Sequence, residues 1–257
     1  MMLRIRCTTF LAIALVAAAC LAGCATVTRE EALRFGSFEV IPGPANRHGV
    51  VLGAPHGTAD TNTAQIAALL AKDLGVPVLI ARGFTRLETG DRRINVNRPT
   101  EGVAADAGFN SELWTGRAGQ VWQEYRRLLL DTAGQDLVLY IEIHSNNHPA
   151  TGGAIEIATT GFSSEQARRI RDTYYRSRDQ ALAGTNAKRV ELKIEPIEPV
   201  YMNGYGSKNH GAAKLARMSM QVEIPIPATS LALEKGPYRK VLAATLREAI
   251  AVLQDNR

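Results

Sequence analysis

The chain has 257 residues, 46% of them hydrophobic and 21% charged, with a formal net charge of +5. Basic and acidic residues are interspersed, with no basic arm and no recognition motif for DNA or RNA, so no nucleic-acid partner is expected. The first segment reads as an export leader: Arg4 and Arg6 precede an apolar run over 10–22, and Leu21, Ala22 and Gly23 form a small-residue exit before Cys24. It is too short and too weakly flanked to span a membrane. Removing these 23 of the 257 residues leaves 234, enough for one substantial core, and the loss of Arg4 and Arg6 brings the net charge to +3.

Leu21, Ala22, Gly23 and Cys24 together resemble the lipobox of bacterial lipoproteins. The resemblance implies cleavage before Cys24, acylation of its thiol and attachment to a membrane of the cell envelope. Ala25 stands where many such proteins carry an inner-membrane retention Asp, so the outer membrane facing the periplasm is implied. Cys7 and Cys20 leave with the leader, so no thiol remains for a disulfide or a cysteine metal site. Stability must then come from packing.

Residues 24–48 have little apolar periodicity and contain Pro42, Gly43 and Pro44, which reads as a tether, with the folded body over 49–257. From there short apolar runs alternate with amphipathic segments: a strand at 50–52, a helix near 62–74, a strand at 76–81 and a longer helix near 111–132. The stretch 82–110 has weak periodicity and five arginines, as expected of a long functional loop. The run 137–143 is nearly continuous in large apolar residues, the mark of a mid-sheet strand covered on both faces. Further on come a strand at 153–158, a charged helix over 163–184, strands at 189–194 and 218–224, and a last helix near 237–254. A Gly-, Ser- and Asn-rich stretch at 204–209 reads as a surface loop able to close over a site. The order of elements predicts an α/β fold: a central mixed, mostly parallel sheet with helices on both faces.

Two of the five histidines, His56 and His144, follow or end expected strands, where side chains converge outside a sheet edge. With Asp60 they supply two imidazoles and a carboxylate, a set suited to catalytic zinc, which keeps a position for water. Each residue has an alternative reading. The histidines suit loop or core positions with backbone partners, and Asp60 suits a helix N-cap ahead of 61–63. Glu142 lies two residues before His144 and so on the same strand face, able to fix the tautomer of a metal-bound ring or to pair with an arginine. Glu223, near the end of another expected strand, is the candidate general base.

His56 with Asp60 after it, Asn95 to Pro99, Glu142 to Ser145 and Val222 to Ile224 occur in an order that resembles zinc-dependent amidohydrolases of the N-formylglutamate amidohydrolase type. These are similar in turn to zinc carboxypeptidases and N-acetylmuramoyl-L-alanine amidases. The resemblance spans roughly 50–226 and implies a zinc carboxypeptidase (phosphorylase/hydrolase-like) fold. It further implies zinc held by His56, His144 and Asp60, a catalytic Glu223, and an Asn97-Arg98 pair that grips a substrate carboxylate. Three positions depart from the pattern. Asp60 is four residues after His56, which leaves Glu88 and Asp91 as substitute ligands; Glu142 and Asn95 stand where the families carry Asp. Tyr201, Tyr205, Lys208 and His210 lie in or beside the 204–209 stretch and are further substrate-holding candidates.

The resulting expectation is a lipid-anchored zinc hydrolase of amide bonds acting on a peptide or N-acyl amino acid. A cell-wall stem amide is the second substrate, and a non-catalytic binding lipoprotein on the same fold is the rival.

Overall fold

The computed structural model describes residues 27–44, 49–85, 93–102, 112–134, 136–233 and 235–253. The leader, Cys24, His48, Glu88 and Asp91 lie outside the described residues. The elements in chain order are α1 (Arg29–Leu33), β1 (Gly36–Ile41), β2 (Val50–Ala54), α2 (Thr63–Leu74), β3 (Val78–Gly83), β4 (Thr100–Glu101), β5 (Leu113–Trp114), α3 (Gly116–Ala133), β6 (Leu139–Asn146), β7 (Ile155–Thr160), α4 (Ser164–Ala181), β8 (Leu192–Ile194), α5 (Tyr205–His210), β9 (Met218–Pro225) and α6 (Pro237–Ala251).

A strand whose side chains are apolar on both faces needs cover on both sides, and β6 has it at the centre of a seven-stranded sheet ordered β1-β3-β2-β6-β9-β7-β8. The four middle strands β3, β2, β6 and β9 are parallel; β1 is antiparallel to β3 at one edge, and β7 is antiparallel to β9 with β8 parallel beyond it. One face packs Leu139, Ile141 and Ile143 under α2, α4 and α6. The other packs Val51, Leu79 and Tyr140 under α3 and α1. The expected α/β architecture, mixed and mostly parallel with helices on both faces, is what forms.

Local chemistry sets the helix ends. Thr115 caps α3 by accepting from the Ala118 N–H, and Ser163 forms a capping box with Gln166 at α4. The helix expected from 111 therefore starts at Gly116, and the two residues before its cap pair as β5 against β4. The strands expected at 76–81 and 189–194 begin later, at Val78 and Leu192.

Two expectations are corrected. The 24–48 segment is not all tether. Thr28 and Glu31 form a capping box, α1 buries Ala32 and pairs Arg29 with Glu124 of α3 at 2.8 Å, and β1 pairs with β3 over six residues. Phe38 anchors this edge strand, its ring 5.2 Å from Phe84 and 5.8 Å from Tyr125. One half-buried aromatic on a mostly exposed strand is too sparse for a periodicity signal. The 204–209 stretch is not a loop but the short helix α5, entered through Gly204 at φ +66° and held by the buried Ser207.

Gly53 in β2 lies against the hydroxyls of Tyr140 and Tyr125, which bond each other at 2.6 Å in the core. A Cβ there would overlap the Tyr140 hydroxyl. Gly53→Ala is expected to destabilise the fold by about 1–3 kcal/mol through overpacking, read by urea denaturation. An unchanged midpoint would show that the tyrosine pair can yield.

Candidate active site

The parallel strands β2, β6 and β9 end on one edge of the sheet, and each delivers a polar group there. His56 follows β2, and the chain turns so that the Asp60 N–H donates to the His56 carbonyl at 2.8 Å. That single turn returns the Asp60 carboxylate to the imidazole, Oδ2 lying 3.4 Å from His56 Nδ1. His144, near the end of β6, brings its Nδ1 within 3.0 Å of the same oxygen. The two rings meet edge to face at 5.0 Å. Asp60 is thus not the helix cap, a position that Asn62 occupies without a side-chain capping bond. His56, Asp60 and His144 are all largely buried, and one potential ligand atom from each lies within 4.8 Å of the others.

Glu142 stands behind this trio, fully buried, as its spacing from His144 predicts. Its carboxylate accepts from His144 Nε2 at 3.3 Å, Asn97 Nδ2 at 3.1 Å and Ser207 Oγ at 2.8 Å. Burial works against the charge on Glu142, yet these donors hold its pKa below the usual value. Burial likewise opposes a charged His144, but Asp60 and Glu142 outweigh it and lift its pKa to about 10. His56 goes the other way, to about 4, because burial and nearby Arg93 outweigh Asp60. One imidazole is therefore neutral and the other protonated at neutral pH.

Glu223 sits directly across from His144 in the β6–β9 register, on the same sheet face. Asn146 Nδ2 donates to its Oε2 at 3.1 Å and Gln221 Nε2 to its Oε1 at 2.8 Å. Burial raises its pKa, offset by the charge of His144 and reinforced by that of Asp60. All four groups, His56, Asp60, His144 and Glu223, open onto a cavity of about 680 Å³.

The Asn97-Arg98 expectation divides. Asn97 is buried, donating to Glu142 and accepting from Arg98 Nη1 at 2.9 Å, and its side chain does not line the cavity. Arg98 lines the cavity but bonds Glu112, Nε lying 2.9 and 3.1 Å from the two carboxylate oxygens. Tyr201, Tyr205 and His210 line the cavity too, whereas Lys208 pairs with Glu195. The exposed large aromatics among the described residues, Trp114, Tyr201 and Tyr205, all stand on this cavity wall. Buried Glu156 fixes part of it by accepting the N–H groups of Tyr201 at 3.0 Å and Met202 at 2.9 Å.

Several contributors escape a reading of the sequence. Arg93, 3.7 Å from Asp60, lies within the arginine-bearing stretch, but nothing in that stretch marks it out from its neighbours. Glu112 meets Arg98 across 14 residues, and Gln221 and Asn146 meet Glu223 from strand positions that carry no motif.

No protein-family model matches the chain, and neither does any curated protein. Among solved structures, a gene product of Agrobacterium tumefaciens is 14% identical, with 90% of this chain and 100% of that chain covered at a TM-score of 0.50. An N-formylglutamate amidohydrolase from Ralstonia eutropha JMP134 is also 14% identical, with 82% and 95% covered at 0.48. A bacteriophage poly-gamma-glutamate hydrolase is 9% identical, with 92% and 96% covered at 0.45. The likeness to the Agrobacterium protein is one of fold.

Proposed function

We propose that this chain is a zinc-dependent hydrolase of amide bonds in a peptide or N-acyl amino acid, anchored by lipid at Cys24 to the outer membrane and facing the periplasm. The observation that carries the reading is the convergence of His56, Asp60 and His144 on one wall of a cavity that Glu223 also faces. The donor set fits the metal. Two imidazoles and a carboxylate suit zinc, and His56 Nε2 is buried with no protein partner. Zinc bound there supplies Lewis acidity, polarising a carbonyl and acidifying water.

The chain's own groups do the rest. Glu142 accepts the Nε2 proton of His144 and fixes which ring nitrogen faces Asp60. Glu223, with its pKa raised by burial, takes a proton from the attacking water and returns it to the leaving amine. Its two amide neighbours hold the carboxylate in place through both changes of charge. Arg98 offers a cationic wall to an anionic part of the substrate. The exposed aromatic wall favours a substrate that extends beyond the cavity, so a peptidoglycan stem amide is the second reading. The body is folded from Thr28, four residues after Cys24, so the tether reaches on the order of 15 Å.

Chelated protein, with and without added zinc, should be incubated with N-acyl amino acids, short peptides and muropeptides. Amine release that returns with zinc is expected, and the responding class names the substrate. A folded, zinc-loaded protein that cleaves none of the three would favour the non-catalytic binding lipoprotein instead.

Metal uptake should depend on pH in a defined direction. His144, at about 10 in the metal-free protein, must give up its proton to become a ligand, whereas His56, at about 4, has none to give. Zinc binding is expected to release about one proton near neutrality and to tighten roughly tenfold per pH unit below the His144 pKa. Calorimetry in buffers of different ionisation enthalpy reads this, and uptake without proton release would contradict it.

A further inference from the structure

Glu112 has a place that the proposed chemistry leaves unexplained. It comes just before β5, whose pairing with β4 (Thr100 opposite Trp114) sets it beside Arg98 on the cavity wall. Arg98 donates to it from Nε and Nη2, filling one whole edge of the guanidinium, while Nη1 is committed to Asn97. Thr100 Oγ1 donates to the remaining side of the carboxylate at 2.8 Å. Gly206 completes the enclosure. A Cβ there would lie 2.7 Å from both Cδ and Nε of Arg98, so α5 packs closely against the arginine stem.

The cation that should attract an anionic substrate is therefore already neutralised by a carboxylate from the same chain. Two carboxylates cannot share one guanidinium edge, and their mutual repulsion is strong in a partly buried site. The geometry points to Glu112 as an internal occupant of the anion subsite, a specificity residue that a substrate carboxylate must displace from Arg98 before it can bind. The inference rests on reading Arg98 as the anion-binding wall. Glu112 stays ionised at neutral pH, since Arg98 and Thr100 hold its pKa down despite burial, so the competition operates under ordinary conditions.

The consequence is a gate on charge. The wild-type wall presents a neutral ion pair to neutral ligands and yields only to a carboxylate able to make the same bidentate contact. The test uses glutarate, with its uncharged diamide as control, titrated by calorimetry into the metal-free full-length protein and into the zinc-loaded protein. Glu112→Gln is expected to tighten glutarate binding about tenfold and leave the diamide unchanged, and Glu112→Asp, which keeps the charge but shortens the reach, should give a smaller gain. Arg98→Gln should lose glutarate in every background. Weaker or unchanged glutarate binding in a Glu112→Gln protein with normal thermal melting would overturn the inference, because Glu112 would then be positioning Arg98 and not competing for it. Because the metal-free titration needs neither zinc nor turnover, its result stands whether or not the chain proves to be a hydrolase.

Discussion

Replacing His144 with alanine is expected to abolish zinc binding and to destabilise the metal-free fold by about 3–5 kcal/mol, the cost of leaving buried charge without its partner. The size follows from the neighbours. Asp60 and Glu142 both lean on this ring, and Glu142 is completely buried. Without the imidazolium, Glu142 keeps Asn97 and Ser207 as donors, and Asp60 keeps the more distant His56. The sign with pH follows from the raised pKa. The native group binds its proton more tightly than an unfolded histidine near 6.5, so its stabilisation is fully present below 6.5 and is lost as pH rises towards about 10. Urea denaturation of metal-free wild type should show stability falling across that window. The alanine variant should be weaker at neutral pH and lack this dependence, and equal stability at pH 7 would show that the ring carries no proton between the two carboxylates.

The second large effect belongs to Glu223. Glu223→Gln keeps the shape and both amide neighbours within reach but removes the proposed base, so turnover should fall by roughly 10²–10⁴ while zinc content and KM change little. The separation matters because Glu223 is outside the trio of His56, Asp60 and His144 yet opposite His144 in the sheet. Loss of zinc along with activity would make Glu223 a ligand. Activity within a few-fold of wild type would move the base elsewhere.

The parts of this architecture that are legible without coordinates are those governed by local periodicity. The apolar run of β6 implies a central strand, and a two-residue spacing puts Glu142 and His144 on one face of it. The same reasoning locates Glu223, because β9 is also buried and its acid falls near the strand end. What escapes is whatever depends on tertiary contact. The β1 strand is mostly exposed and is a strand because β3 offers it an edge, not because of its own pattern. The α5 segment looks like a loop by composition, and it is ordered as a helix by Ser207 reaching Glu142 and by the close approach of Gly206 to Arg98. Asn97 illustrates a subtler limit. Its place in the motif is readable, but its amide donates to Glu142 behind the trio of His56, Asp60 and His144, a contact that the motif alone does not reveal.

The proposed hydrolase requires that His56, Asp60 and His144 together hold one metal ion. Calorimetric titration of zinc into chelator-treated protein tests that directly. One equivalent per chain is predicted, tight enough to raise the melting temperature and absent from His56→Ala and Asp60→Ala. A well-folded wild type that takes up no zinc, or takes it up unchanged in those variants, would contradict it.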